Sequence, residues 1–188
     1  MSIKLVNQPR VESILDREGL DGLVVVNPIN FYYFSGYWGF FNTPTGFYGS
    51  YFSVLPRDSD KKPSMVIPAL EIRRIETKGR PWIKDIFSYT SDGDGSSFDD
   101  NSPKGMDYEG WPINQTAKLT QREKNWKKIV EDFKDSYNEN SFQALVRAIK
   151  SSHLDGKKIL IDDLRIERWL EKEKKLNIEC IYKPHLFN

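Results

Sequence analysis

The sequence lacks the features on which several large functional classes depend. It has one cysteine, Cys180, so an internal disulfide is impossible, and its two histidines, His153 and His185, are far apart and in no metal-binding motif. The 28 basic and 27 acidic residues give a net charge of +1, which leaves no excess positive charge to neutralise a run of phosphates. No stretch approaches the roughly 18 apolar residues of a membrane span, and no apolar signal region opens the sequence. We therefore predict a cytoplasmic protein that binds neither nucleic acid nor membrane.

Motifs that mark common catalytic sites are also missing. Neither G-x-G-x-x-G nor G-x-x-x-x-G-K occurs, which disfavours a dinucleotide or nucleoside triphosphate site. Residues 92–100 begin like an EF-hand loop, but Ser97 and Pro103 stand where calcium binding needs Gly and Glu. Cys180 lies in a strand pattern, where a buried structural thiol is the ordinary case. The sequence therefore predicts no catalytic residue and no metal ligand in this chain.

One pair of carboxylates keeps a nuclease hypothesis open. Asp162 and Asp163 end a predicted strand, where open α/β sheets place ligand groups, and paired carboxylates can bind Mg²⁺ as in RNase H-type nucleases. Asp163 is equally well placed to cap the helix that begins with Leu164, and a capping Asp needs no catalytic explanation. We favour the capping role over the metal site.

What the sequence does contain is a regular alternation of helical and strand patterns. Apolar residues recur at helical spacing in 8–18, and the continuous apolar run 22–26 is typical of a strand buried on both faces. Five further strands are predicted, at 48–55, 64–67, 83–89, 158–162 and 177–182, with the first two of these as an antiparallel hairpin. Six strands interleaved with helices predict an α/β fold: a mixed sheet with helices on both faces.

Three more helices are predicted in the second half. Thr120 and Glu123 fit a capping box, and apolar residues keep helical spacing from there to Tyr137. Ser141 fits as the cap of a second helix, so the two are expected to form a helical hairpin, and the third helix is expected at 163–174. Before them, residues 91–110 are rich in Gly, Asp and Ser without usable periodicity, which predicts a long loop.

Aromatic residues are concentrated in one segment. Residues 31–52 hold twelve of the 25 aromatic side chains of the sequence. Residues 32–34 are expected in the core, on a short helix or turn. Trp38, Phe40 and Phe41 instead lie among Gly, Asn, Thr and Pro, which predicts an irregular loop. Aromatic residues in such loops frequently contact ligands or partner proteins. Burial beneath the loop is the alternative for these three.

The order of these motifs carries a family resemblance. The first helix leads through residues 19–22 to the apolar strand, and a turn with Asn30 precedes Tyr33, Ser35 and Gly36 in a Y-x-S-G motif. The hairpin S-V-L-P-R-D-S-D-K-K-P-S-M-V-I-P-A-L-E follows, and a strand, a helix and a strand end the sequence in K-K-I-L-I-D-D-L-R-I-E-R-W-L-E-K-E-K-K-L-N-I-E-C-I-Y. In this order the sequence resembles the N-terminal domain of the creatinase, prolidase and aminopeptidase P metallopeptidase family.

The resemblance implies an RNase H-like mixed six-stranded sheet. Residues 1–188 would be a single domain of this type, with a variable loop and helical insertion at about 91–137. In the family this domain is non-catalytic: it packs on a catalytic pita-bread domain, mediates dimer or tetramer contacts and helps to wall the active site. The pita-bread domain and its ligands for two divalent metal ions have no counterpart in this sequence. If the sequence is a fragment of a peptidase, the resemblance implies two such ions (Mn, Co or Zn) in an attached catalytic domain of the same chain.

The resemblance also gives the loop at residues 37–49 a role. In relatives, the loop that follows the Y-x-S-G motif reaches from one subunit toward the substrate pocket of its neighbour. The residues expected to contact substrate or partner are therefore Trp38, Phe40, Phe41, Phe47 and Tyr48.

Three functions follow from these observations. The leading one is the non-catalytic N-terminal domain of an Xaa-Pro dipeptidase, an aminopeptidase P-like enzyme or a creatinase-like hydrolase, in a homodimer. The alternative is a stand-alone binding or adapter domain that uses loop 37–49. The third is a magnesium nuclease with Asp162 and Asp163 as ligands.

Overall fold

Seven strands form one mixed sheet in the computed structural model of the chain, which describes residues 4–40, 42–43, 46–47, 51–72, 74–75, 79–91, 118–173 and 176–187. The strands of the chain are β1 Gly22–Val25, β2 Asn42–Thr43, β3 Gly46–Phe47, β4 Phe52–Pro56, β5 Ser64–Pro68, β6 Asp85–Ser91, β7 Tyr137–Asn140, β8 Lys158–Ile161 and β9 Glu179–Tyr182. The main sheet has the order β7-β6-β5-β4-β1-β8-β9, and β2 and β3 form a separate antiparallel pair. Strand β4 runs antiparallel to both of its neighbours, and the other pairs are parallel.

Helices cover both faces of this sheet. They are α1 Gln8–Arg17, α2 Pro28–Ser35, α3 Gln121–Phe133, α4 Ser141–Ser151 and α5 Leu164–Glu173. One buried apolar cluster joins the sheet to α1, α2 and α3, and a second cluster joins the opposite face to α4 and α5. The α/β class and the helices on both faces are therefore confirmed. None of the helices within the described ranges is long and apolar enough to cross a membrane.

Capping interactions set several helix ends where the sequence predicted them. Helix α1 ends before Gly19, which has the left-handed φ of 66° that a glycine adopts without strain. Thr120 and Glu123 form the predicted capping box at the start of α3. The predicted antiparallel hairpin is also present, as β4 and β5. Local chemistry therefore explains these boundaries.

The sheet differs from the prediction in the number of its strands. It has seven strands instead of six. The helix that was predicted to run from the Thr120 cap to Tyr137 ends at Phe133, and the residues after it form the additional strand. After a 3₁₀ turn at Lys134–Ser136, the chain pairs with β6 as the edge strand β7. The spacing of apolar residues up to Tyr137 is compatible with a helix. The backbone of residues 137–140 instead pairs with the edge of the sheet, and a helical pattern in the sequence gives no sign of that tertiary contact.

The predicted helical hairpin is wrong for the same reason. Strand β7 separates α3 from α4, and the two helices pack on opposite faces of the sheet. Asn140, not Ser141, caps α4, since the Asn140 side chain accepts a hydrogen bond from the Gln143 backbone N–H. Ser141 is the first residue of the helix and is buried. The predicted loop at 91–110 lies outside the described residues except for Ser91, which ends β6, and the insertion at about 91–137 stays a prediction.

Candidate functional site

The chain makes a sharp turn where α2 ends and the aromatic loop begins. Gly36 has a left-handed φ of 68° and its N–H donates to the Tyr32 carbonyl. The buried Ser35 hydroxyl donates to the Phe31 carbonyl at 2.6 Å and accepts from the Tyr37 N–H at 3.0 Å. The Ser-Gly pair of the Y-x-S-G motif thus ends the helix and turns Tyr37 into the core, where it is 3% exposed.

A buried carboxylate lies at the base of this turn. Glu71, at the end of a 3₁₀ turn after β5, has no exposed surface. Its Oε2 accepts a hydrogen bond from the Tyr37 hydroxyl at 2.6 Å. Its Oε1 accepts from the Tyr51 hydroxyl at 2.8 Å and from the Phe40 backbone N–H at 2.5 Å. We call Glu71, Tyr37, Tyr51 and the Phe40 N–H the Glu71 cluster. A buried carboxylate is tolerable only when it is paired and hydrogen-bonded, as it is here.

Two further contacts restrict the backbone beside Glu71. The Arg74 Nη1 lies 3.7 Å from Glu71 Oε1, and the Arg74 guanidinium stands 4.8 Å from the centre of the Phe40 ring. At Gly39, a Cβ atom would lie 2.3 Å from Cε1 of the buried Tyr51 ring. Only glycine therefore fits there without a shift of the ring or of the chain.

The other side of this segment is apolar and open to solvent. The Phe40 side chain is 66% exposed, and Leu70, next to Glu71 in the chain, is 63% exposed. Trp38 is half-buried, with its ring edge-on to Tyr32 at 5.5 Å between centroids. Phe40 and Leu70 are therefore outward-facing apolar side chains on backbone that belongs to, or adjoins, the Glu71 cluster. Such exposed apolar side chains are typical of contact sites when they are grouped.

The structure gives a partial view of the five residues predicted to contact substrate or partner. It brings Trp38 and Phe40 to the same short turn and leaves both accessible. Phe47 belongs to the short strand β3, where its backbone pairs with Asn42. Phe41 and Tyr48, and the side chain of Phe47, lie outside the described residues. The contact role of all five stays a prediction.

Comparison with known proteins places this fold in a family. The sequence model of the creatinase/prolidase N-terminal domain matches residues 9–129, which is more than half of the chain. The chain belongs to the creatinase/prolidase N-terminal domain family. No curated protein matches the sequence.

Solved structures share the fold of this creatinase/prolidase N-terminal domain over nearly its whole length. A proline dipeptidase from Streptococcus agalactiae 2603V is 14% identical, with a TM-score of 0.50 and coverage of 96% of each chain. A Creatine_N superfamily domain of a dipeptidase from Streptococcus thermophilus is 14% identical, with a TM-score of 0.51 and coverage of 98% of this chain and 95% of that one. Recombinant prolidase from Thermococcus sibiricus is 16% identical, with a TM-score of 0.52 over 97% of this chain but only 35% of the prolidase. At these identities the similarity shows the fold.

The paired carboxylates of the nuclease hypothesis are engaged in structural contacts in this creatinase/prolidase N-terminal domain. Asp162 accepts hydrogen bonds from the Val26 N–H at 2.9 Å, the Asn27 N–H at 3.0 Å and the Asn30 side-chain amide at 3.0 Å. Burial raises the pKa of the Asp162 carboxyl, and the three hydrogen bonds oppose that rise. Asp162 thus joins the end of β8 to the turn between β1 and α2.

Asp163 has the predicted capping role. One of its oxygens accepts from the Arg165 backbone N–H at 2.9 Å, and both oxygens accept from the Arg165 guanidinium. The Arg165 guanidinium lowers the pKa of the Asp163 carboxyl. Both aspartates are thus engaged by donors within the chain, and the Arg165 cation lies directly on Asp163, which favours a structural role for the pair.

The remaining candidate residues are isolated. His153 and His185 are exposed, and Cys180 is half-buried in the edge strand β9, where burial raises its pKa to about 12 and disfavours the thiolate. Across the part of the chain that the structure describes, no three His, Cys, Asp or Glu side chains are grouped so as to hold a metal ion. The absence of metal ligands from this chain stays a prediction.

Two features of the site differ from the sequence prediction or escaped it. Of residues 32–34, expected in the core, Phe34 is buried, but Tyr32 is half-buried and Tyr33 is 38% exposed. The helix period directs Phe31 and Phe34 inward instead. Glu71 was not singled out, although one signal for it existed. A single acidic residue inside the apolar run P-A-L-E-I, just after a buried strand, must either face solvent or find buried partners.

The Tyr37 phenol gives a pH-dependent prediction. Burial raises the pKa of Tyr37 far above its usual value, and the hydrogen bond to Glu71 raises it further. In the unfolded chain this phenol ionises near pH ~10, whereas the folded protein retains its proton. The contribution of Tyr37 to stability should therefore be complete below pH ~10 and fall above it, by up to about 1.4 kcal/mol per pH unit.

Urea unfolding from pH ~8 to pH ~11 checks this, with Tyr37→Phe as the control because it keeps the ring and removes the proton. The free-energy difference between wild type and the variant should shrink above pH ~10. A difference that stays constant to the highest pH would show that the pKa of Tyr37 is not raised in the folded protein.

Proposed function

We propose that this chain is the non-catalytic N-terminal domain of an Xaa-Pro dipeptidase, an aminopeptidase P-like enzyme or a creatinase-like hydrolase. In this proposal it acts in the cytoplasm, packs on a catalytic domain of the same chain and contributes to a homodimer. The two divalent metal ions of the reaction (Mn, Co or Zn) belong to that catalytic domain. Membership of the creatinase/prolidase N-terminal domain family and the shared fold with a proline dipeptidase support the proposal.

The observation that carries the contact role is the combination of an exposed ring and a fixed backbone at Phe40. Its side chain is 66% exposed, while its N–H is held by the fully buried Glu71. Leaving the ring exposed forgoes the roughly 1.5–3 kcal/mol that burial of a Phe side chain contributes. An exposed Phe40 ring on a fixed backbone suits a surface that contacts another molecule. We assign to this surface either a place in the wall of an active site or a contact with the neighbouring subunit.

The alternative is a stand-alone binding or adapter domain that presents the same surface of loop 37–49 to another partner. The two functions differ in where the catalytic machinery lies. The natural reading frame that contains this sequence distinguishes them, because the enzyme function requires a frame that also encodes the metal ligands.

The direct test is hydrolysis of an Xaa-Pro dipeptide with Mn²⁺, Co²⁺ or Zn²⁺. We expect activity from the product of the complete reading frame and none from the 188-residue chain. Two-metal hydrolysis needs bridging carboxylates that set the ions about 3.5–4 Å apart, and the described residues offer no such group. Metal-dependent cleavage by the 188-residue chain alone would refute the non-catalytic assignment, and a frame without metal ligands would favour the adapter domain.

Alanine substitutions test the contact surface. Phe40→Ala should change the free energy of unfolding by less than about 1 kcal/mol because the ring is mostly exposed. Trp38→Ala should cost about 1–2 kcal/mol, well below the roughly 3–5 kcal/mol of an emptied core Trp site. Both should weaken dimerisation, measured by sedimentation velocity, or raise KM in the full-length enzyme.

Leu164→Ala is the matched control, because Leu164 is a large apolar residue that is 44% exposed and lies at the start of α5, far along the chain from loop 37–49. It should change neither association nor KM. A core-sized stability loss for Trp38→Ala, or unchanged association and KM for both variants, would mean that the segment is only part of the fold.

A further inference from the structure

We propose that Glu71 is a positioning residue for the contact surface around Phe40. The carboxylate touches no partner itself, but it fixes the direction in which the Phe40 ring projects. This inference rests on the proposed contact role of loop 37–49 and adds the device that holds Phe40 ready to bind.

Glu71 holds the chain at the backbone of Phe40. It binds Phe40 through the backbone N–H, at 2.5 Å, and so fixes the main chain from which the ring projects. Gly39 removes the remaining freedom, because its backbone lies against the buried Tyr51 ring with no room for a Cβ atom. The Phe40 ring is therefore exposed although the backbone that carries it is held at a buried point.

Glu71 also joins the two residues that flank segment 38–50. Tyr37 precedes residues 38–50 and Tyr51 follows them, and the two phenols donate to the two oxygens of the same carboxylate. One side chain from a separate element thus closes the base of the loop. Ordering a loop before it binds lowers the entropy that binding must otherwise remove, which is how such a closure would raise affinity.

Arg74 links Glu71 to the Phe40 ring. Arg74 has its Nη1 3.7 Å from Glu71 Oε1 and its guanidinium 4.8 Å from the centre of the Phe40 ring. Arg74 is therefore in contact with both the buried carboxylate and the exposed ring. The Phe40 main chain and the Phe40 side chain are both coupled to Glu71, so the loss of the carboxylate should release both.

The test uses Glu71→Gln, which keeps the size of the side chain and replaces one acceptor oxygen by an amide donor. In ¹H–¹⁵N spectra of the 188-residue chain, the wild-type Phe40 amide should resonate downfield and exchange slowly with solvent, as expected for a hydrogen bond to a buried carboxylate. In Glu71→Gln we expect that signal to move upfield and its exchange to become at least about tenfold faster, since a bond to a charged group is lost.

The functional arm measures KM, kcat and dimer dissociation for the product of the complete reading frame. Glu71→Gln should raise KM or the dimer dissociation constant about as much as Phe40→Ala, with kcat nearly unchanged. In the double variant Glu71→Gln with Phe40→Ala, KM and the dimer dissociation constant should be no higher than in Phe40→Ala alone. A positioning residue has no effect once the group that it positions is gone. A residue that only stabilised the fold would give additive effects.

The outcomes separate this inference from the proposed function. If Phe40→Ala weakens binding but Glu71→Gln does not, or if their effects add, Glu71 is not a positioning residue and the contact surface stands. If neither variant changes KM or association, the contact surface fails and the inference fails with it. Should Glu71→Gln not fold, Glu71→Asp keeps the carboxylate but withdraws it from the Phe40 N–H by one methylene, and it should show the same pattern at reduced size. An unchanged Phe40 amide in that variant would overturn the inference.

Discussion

A Glu71→Leu variant is expected to unfold in urea with a free energy about 3–5 kcal/mol below that of the wild type. Leucine fills much of the same volume but accepts no hydrogen bond. The Tyr37 and Tyr51 hydroxyls and the Phe40 N–H would each lose a hydrogen bond to the buried carboxylate, and Arg74 would lose the carboxylate beside it. Each unsatisfied buried donor costs about 1–3 kcal/mol, so relaxation of the loop can reduce the loss but not abolish it.

Glu131→Leu is the matched control for this prediction. Glu131 lies on α3 with 67% of its side chain exposed and forms an ion pair with Lys134 three residues later. The same substitution there should leave the urea midpoint almost unchanged, because exposed ion pairs contribute little. If Glu71→Leu behaved like Glu131→Leu, the contacts of Glu71 would be incidental and the account of the loop base would be wrong.

Asp162→Ala should produce the second large effect, a loss of about 2–3 kcal/mol in the free energy of unfolding. The substitution removes the acceptor for two backbone N–H groups, of Val26 and Asn27, and for the Asn30 side chain. Those groups lie where β1 passes into α2, so their release should loosen the start of the helix that leads to the aromatic loop. Guanidinium or urea unfolding followed by circular dichroism measures the loss.

The neighbouring aspartate is the control for Asp162. Asp163→Ala removes a helix cap and should cost about 1 kcal/mol, less than Asp162→Ala. A third variant, Asp162→Asn, examines the nuclease alternative. Magnesium-dependent cleavage of an RNA–DNA hybrid that disappears in Asp162→Asn would revive the nuclease hypothesis. We expect no cleavage by the wild type, because both carboxylates are engaged in contacts that hold the fold together.

The parts of the fold that the sequence predicts are those set by local chemistry. The apolar run in β1, the glycine after α1 and the capping box of α3 each act within a few residues, and each is found where it was expected. Strand β7 was missed because its position depends on β6, about fifty residues earlier in the chain. Tyr137 keeps helical spacing with Phe133, so only the competition for a sheet edge decides its conformation.

The candidate site shows the same division. The concentration of aromatic residues pointed to loop 37–49, and Trp38 and Phe40 are accessible there. The buried half of the site was not predictable, because the partners of Glu71 come from positions 20, 31 and 34 residues away. A sequence shows that a glutamate stands in an apolar run, but not which donors the fold brings to it.

The strand order has a consequence for how the chain folds during synthesis. Strand β1 pairs with β4 on one side, but on the other side it pairs with β8, which is made only after residue 158. The hydrogen bonds from Val26 and Asn27 to Asp162 span 136 and 135 residues. Contacts at such long separation slow folding, and an unpaired strand edge favours aggregation. Once residues 1–150 have been made, the interior strand β1 still has one open edge. This is the stage of synthesis at which we expect the nascent chain to need a chaperone.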